Sequence, residues 1–367
     1  MPLPPPSSPL RYDPSVETPE ASESEVDDQL TETMRGISET TFRDGGHALR
    51  SVHAKSHGLI EAELEVLEQT YPVLAQGLFA KPGRHPMVMR YSTLPGDILD
   101  DSVSTPRGLA LKVFGVDGPQ LGGSVGATQD FVLVNGPAFS SPNGKAFLAN
   151  LKLLAATVDK IEGVKKVASA ALQPIEAALQ KSGHPSATLT TLGGQPETNV
   201  LGETYYSQVP LRYGDYIAKI SVAPVSPELA SLKDSPVRLH DHPNGLREAV
   251  AEFFAAHVAE WELRVQLCTD LERTPVENAS KIWSEEVSPF VTVARIRARS
   301  QTTWSEARSA AVDDGLSFSP WHGLAAHQPL GSVMRLRKRA YEMSARFRAE
   351  HNGRSIEEPR SFSPLPD

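Results

Sequence analysis

The sequence predicts an α+β fold, an antiparallel β-barrel core with surrounding helices, and three observations lead there. Stretches with strand alternation come in adjacent runs, mostly without crossover helices between them. Segments with helical spacing stand apart from those runs, as at 144–180, 246–260 and 335–353. Glycine and Asn punctuate the short apolar runs, as in "GLALKVFGV" (108–116) and "DFVLVN" (130–135). With 367 residues, 40% of them hydrophobic, the chain can bury one large core or two medium ones.

In chain order, residues 1–34 hold eight acids and one arginine among Pro and Ser, and are expected to be a disordered tail. Residues 35–352 are expected to form the folded domain, and 353–367 a C-terminal arm. Within the domain, 59–79 has helical spacing and 85–94 reads as a strand. Residues 206–225 read as a strand pair turning at Gly214-Asp215, and 261–270 and 289–300 alternate as strands do. A short helix is expected at 303–315, and Gly353 is expected to stop the last one.

Composition excludes several function classes. The one cysteine, Cys268, allows neither an intrachain disulfide nor a Cys-cluster metal site. The acidic tail accounts for about −7 of the net −9, so the domain is nearly neutral and no nucleic-acid partner is expected. No apolar run follows a basic start, and no stretch of ~18 apolar residues is present, so no membrane span is expected and a cytoplasmic location is the default.

Four segments carry candidate chemistry. In "RLRKRAYEMSARFR" (335–348), Tyr341 lies about 40° and Arg348 about 20° from Arg337 around a helix, while Arg335, Arg339 and Arg346 point away. A solvated basic face is the ordinary explanation of such a run. The alternative is a tyrosine whose anion is favoured by an arginine one turn away, and tyrosinate can ligate haem iron. In "RSVHAKSHG" (50–58), Arg50, His53 and His57 would share a helical face, without the Glu that a metalloprotease pattern requires. "RLHDHPNG" (238–245) offers H-x-H in a turn, with no third ligand nearby. The glycines of "TPRGLALKVFG" and "GGSVGAT" fit no phosphate-binding pattern and read as turns.

Several stretches together resemble the haem catalase superfamily, and "FSPWHGLAAHQPLGSVMRLRKRAYEMS" (318–344) resembles its compact catalase-related peroxidase branch. "RSVHAKSHG" resembles the distal motif, "MRYSTLPGD" with "DSVSTPRGLALKVF" the stretch that follows it, and "RKRAY" the proximal R-x-x-x-Y. The motifs appear in the family's order and span roughly residues 40–350. The resemblance implies haem b, with Tyr341 as iron ligand and Arg337 stabilising its phenolate. It implies His53 as acid–base, oriented by Ser92, and Arg50, Arg90 and Arg348 on the propionates, with Phe139 beside the haem. No Asn precedes the "DFVLV" strand, so Thr128 or Gln129 is expected in place of the distal Asn, with Asn135 at the wrong end. That departure puts a haem peroxidase first, acting on hydrogen peroxide or organic hydroperoxides with an organic electron donor. Fatty-acid hydroperoxide rearrangement or cleavage, weak catalase activity and non-catalytic haem binding follow as alternatives. The resemblance also leaves room for a homodimer, which no sequence feature requires.

Overall fold

The computed structural model describes residues 4–103, 105–122, 126–155 and 195–367. Among them, the strands are β1 (Ser56–Val66), β2 (Gly83–Thr93), β3 (Arg107–Phe114), β4 (Thr128–Val134), β5 (Tyr205–Tyr206), β6 (Leu211–Tyr213), β7 (Tyr216–Pro224), β8 (Ala259–Leu267) and β9 (Val291–Ala298). Every pairing is antiparallel. Because β5 pairs with both β4 and β7, the ladder runs β1-β2-β3-β4-β5-β7-β8-β9 and returns to β1. The result is a closed eight-stranded barrel with β6 as a short extra hairpin strand on β7. The expected α+β barrel is therefore the observed fold.

Helices α1 (Glu23–Gly45), α2 (Gly144–Ala155), α3 (Pro227–Ala230), α4 (Gly245–Ala256), α5 (Glu306–Ser309) and α6 (Ser332–His351) pack outside the barrel. A π-helical turn, Ala310–Asp314, continues α5. The barrel interior is filled by side chains such as Ile60, Met89, Tyr91, Leu111 and Leu263, as expected for eight strands. A second core joins α1, α2 and α6 through Leu30, Met34, Leu148, Leu336 and Phe347.

Strand alternation decides which residues leave the barrel. Along β2 and β3, Met87, Met89, Tyr91, Leu109, Leu111 and Val113 point into the barrel core. Arg90 and Ser92 of β2 and Gly108, Ala110 and Lys112 of β3 fall on the outer face. Register stacks them in rungs: Ser92 opposite Gly108, Arg90 opposite Ala110, and Val88 opposite Lys112. The helical layer covers this face.

Three expectations differ from the structure. Residues 59–66 are strand, not helix: Glu61, Glu63 and Glu65 alternate with Ala62, Leu64 and Val66. The apolar step from Ile60 to Leu64 suits both periods, and Pro72 then opens a 3-10 turn. Residues 4–34 are folded, not a disordered tail. Val26, Leu30, Met34 and Ile37 form a buried stripe along α1, and the acids are neutralised by α6. Arg335 bonds Glu17, Glu23 and Glu277, and Arg339 bonds Asp27 and Asp28, so these bases are ion-paired and not merely solvated. The helix expected over 144–180 is observed as α2, and its remainder lies outside the described residues. The C-terminal arm lies on the barrel, with Glu358 on Lys112 and Phe362 packed 5.4 Å from Phe114. No helix among the described residues is long and apolar enough to cross a membrane.

Candidate active site

Between the outer face of β2–β4 and the helical layer lies a cavity of about 70 Å³. His53, Ser92, Gly108 and Val132 line it from the barrel side, and Ala340, Tyr341 and Arg348 from α6. Met34 of α1 completes an apolar wall. Arg50, Arg90 and Arg348 gather at one end.

His53 sits in the loop before β1 with φ of +56°, a left-handed conformation that a non-glycine residue rarely adopts. Its amide donates to the Leu94 carbonyl at 2.8 Å, and that of Ala54 to Pro95 at 3.0 Å, which hold the turn. The ring Nδ1 lies 3.1 Å from Ser92 Oγ, leaving Nε2 for chemistry. Gly108 makes room for the ring: a Cβ there would lie 2.6 Å from His53 Nδ1 and Cε1. Burial, then the charges of Arg90, Arg337 and Arg50, push the His53 pKa down to about 3, so the imidazole is a neutral base at ordinary pH.

Arg337, one turn before Tyr341, donates to its phenol oxygen at 2.5 Å, and its guanidinium lies 5.1 Å from the ring centroid. The helical stripe expected from spacing therefore places Tyr341 and Arg348 on one cavity, with Arg337 behind the tyrosine.

The arginine end is tied together by the π-helical turn. Asp313 accepts from Arg90 Nε at 2.7 Å and Arg50 at 3.2 Å, while Ser56 and Ser309 donate to its other oxygen at 2.7 and 2.8 Å. The Asp313 backbone carbonyl accepts from Arg50 at 2.7 Å and from Arg348 at 2.5 Å. Burial pushes the Asp313 carboxyl up, but Arg90 and Arg50 outweigh it and hold it at about 2. Arg348 Nε is buried with no partner, a donor aimed at no acceptor of the chain.

Other expected residues fall elsewhere. Phe139 does not line the cavity; it packs 5.0 Å from Phe147, with Val333 and Met334 at the start of α6. Gln208 donates to the Gly136 and Ala138 carbonyls and turns the chain that way. Neither Thr128 nor Gln129 reaches the cavity: Thr128 donates to Glu358, and Gln129 accepts from the Leu324 amide and donates to the Asp130 carbonyl. Asn135 is bound to the Arg107 amide and to Glu203. His53 and His57 share no helical face, because His57 belongs to β1 and lies 3.2 Å from Thr93 Oγ1. His240 and His242 are paired with Asp241 and Glu248 and bring no third ligand. Asp130, His322 and Glu358 lie close enough to share a cation, but Lys112 already donates to both acids.

Sequence reasoning missed Asp313 and the role of Gly108. The only signal for the first was an acid pair, Asp313-Asp314, inside an otherwise helical segment.

The arrangement is a serine-bonded histidine and an arginine-bonded phenol sharing one cavity with a cationic end. No family model and no curated protein matches the sequence. Solved structures do match, among them three catalases. A fungal catalase is 18% identical at a TM-score of 0.60, over 86% of this chain and 62% of its own. Catalase A from Saccharomyces cerevisiae is 18% identical at 0.59, over 89% of this chain and 67% of its own. A bacterial catalase is 16% identical at 0.58, over 97% of this chain and 66% of its own. The chain thus has the catalase fold and spans about two thirds or less of the length of these catalases.

Proposed function

We propose that the chain is a haem-dependent peroxidase that cleaves hydrogen peroxide or organic hydroperoxides and takes electrons from an organic donor. The observation that carries this reading is one cavity shared by a neutral His53 pinned to Ser92, a Tyr341 bonded by Arg337, and three arginines. This donor set fits haem b. Apolar walls suit a flat ring, the arginines and the orphaned Arg348 Nε suit its carboxylates, and the Tyr341 oxygen suits ferric iron. Bound there, haem would supply the redox chemistry for O–O cleavage.

The chain's own part is proton movement and positioning. His53 Nε2 takes the proton from one peroxide oxygen and returns it to the other, which leaves as water or alcohol. Ser92 fixes the ring plane for both transfers. Arg337 stabilises negative charge on the Tyr341 oxygen.

Hydroperoxide rearrangement is the second reading, favoured over dismutation of hydrogen peroxide by one observation. Among the described residues, no amide side chain lines the cavity.

The test is haem uptake by the purified chain, read by its reduced pyridine spectrum, followed by reaction with hydrogen peroxide and with a lipid hydroperoxide. Tyr341→Phe is expected to lose or loosen the haem. His53→Ala is expected to keep it and to cleave peroxide about 10²- to 10⁴-fold more slowly. A chain that takes up no haem overturns the proposal.

A further inference from the structure

Three buried guanidinium groups meet at the end of the cavity. The Arg50 and Arg90 side chains are 12% and 2% exposed, and Arg348 is 3% exposed. Charges held this far from water are costly unless compensated. The chain supplies one carboxylate in direct contact, Asp313, 16% exposed, with both of its oxygens engaged. Asp314 lies further out, with its Oδ1 3.0 Å from the His47 ring, and its charge acts on Arg50 and Arg348 without direct contact. The contact cluster therefore carries three positive charges and one negative, a net of +2.

The placement of Asp313 is a built feature. It closes a π-helical turn, a rare local geometry that is enriched at functional sites. That turn brings the carboxylate of Asp313 and the carbonyls of Val312, Asp313 and Leu316 onto the same guanidinium groups. The arginines come from three different elements: the loop before β1, β2 itself, and α6. A ligand with two carboxylates would neutralise the remaining charge.

We propose that Asp313 is a positioning residue that lowers the charge of this cluster, so that the arginines stay buried together until a dianionic ligand arrives. The inference rests on the haem reading above. Asp313 fixes the orientation of Arg50 and Arg90 and removes one of three positive charges. What is left attracts an anionic ligand.

The test compares the wild-type chain with Asp313→Asn, which keeps the shape of the side chain and removes its charge. The ligand-free variant is expected to melt about 4 °C or more below the wild type, because the buried guanidinium groups of Arg50 and Arg90 lose their one carboxylate contact. Haem b, titrated by absorbance, is expected to bind the variant roughly tenfold more tightly and with steeper salt dependence. Haem b dimethyl ester, the same ring without the charges, is expected to bind both chains alike. Equal melting temperatures together with equal haem b affinities would overturn the assignment. Weaker haem b binding by the variant would also overturn it, leaving Asp313 as a steric prop.

If the single variant does not fold, Arg50→Gln/Asp313→Asn restores the net +2 and is expected to fold. Failure of that double variant would count against charge setting. If neither chain takes up haem b, the proposed function falls, while the melting comparison still decides the role of Asp313.

Discussion

Replacing Gly108 by alanine tests whether His53 acts through its position. The added Cβ would lie 2.6 Å from His53 Cε1 and Nδ1 and 3.0 Å from Ser92 Oγ. Carbon contacts are comfortable at about 3.5–4.0 Å, so the ring must retreat by about 1 Å. It has little freedom to do so, because Nδ1 is tied to Ser92 and the backbone is held at a left-handed φ by bonds to Leu94 and Pro95. A displacement of that size at a reacting group costs on the order of 10²-fold in rate, or about 3 kcal/mol of barrier. The accompanying overpacking costs about 1–3 kcal/mol of stability, which a well-folded domain tolerates. The assay is stopped-flow cleavage of hydrogen peroxide by the haem-loaded chain, with haem content and melting temperature measured alongside. Gly36→Ala in α1 is the control, since a Cβ there meets nothing within 4 Å. A Gly108→Ala chain with full haem content and a rate within threefold of wild type would refute positional control by His53.

Two further predictions concern charge. The folded pKa of His53, about 3, lies below the ordinary 6.5, so the unfolded chain binds the extra proton between those values. Stability therefore falls as pH drops from about 6.5 towards 3, by up to a few kcal/mol, and His53→Gln should flatten that slope in pH-dependent urea unfolding. The same shift keeps the base competent in mild acid, so the acid limb of kcat/KM should fall well below pH 6; a His53-dependent limb at 6–7 would contradict the shift. Asp130→Ala would leave the fully buried Lys112 with Glu358 alone, at a cost of about 3–5 kcal/mol in urea melts. A loss under about 1 kcal/mol would show that Glu358 suffices for Lys112.

Alternation made β8 and β9 legible in the sequence, and apolar runs bounded by glycines and Asn made β3 and β4 legible. β1 was not legible, since a step of four satisfies both periods. α1 was hidden by its acids, whose partners Arg335 and Arg339 lie some three hundred residues away. At the site, Tyr341 and Arg348 could be placed together because helical phase is regular over eleven residues. Asp313 could not be placed, because a π-helical turn shifts that phase locally. Phe139 follows β4 in a turn whose direction is set by Gln208, a contact sequence spacing does not encode.

The register of one sheet face explains why the site lies at the seam between layers. This eight-stranded barrel is filled by its own side chains, and the cavity lies against its outer wall. On that wall, the rung pairing Ser92 with Gly108 seats His53, the next outward rung presents Arg90, and the next presents Lys112 to the C-terminal arm. A slip of one residue would bury all three in the barrel. The opposite wall, α6, has no strand ladder to fix it and depends on packing with α1 and α2 and on the ion pairs of Arg335 and Arg339. The two walls meet at Asp313, which receives Arg90 from the barrel and Arg348 from α6. Asp313 thus bonds both walls, the barrel through its carboxylate on Arg90 and α6 through its backbone carbonyl on Arg348.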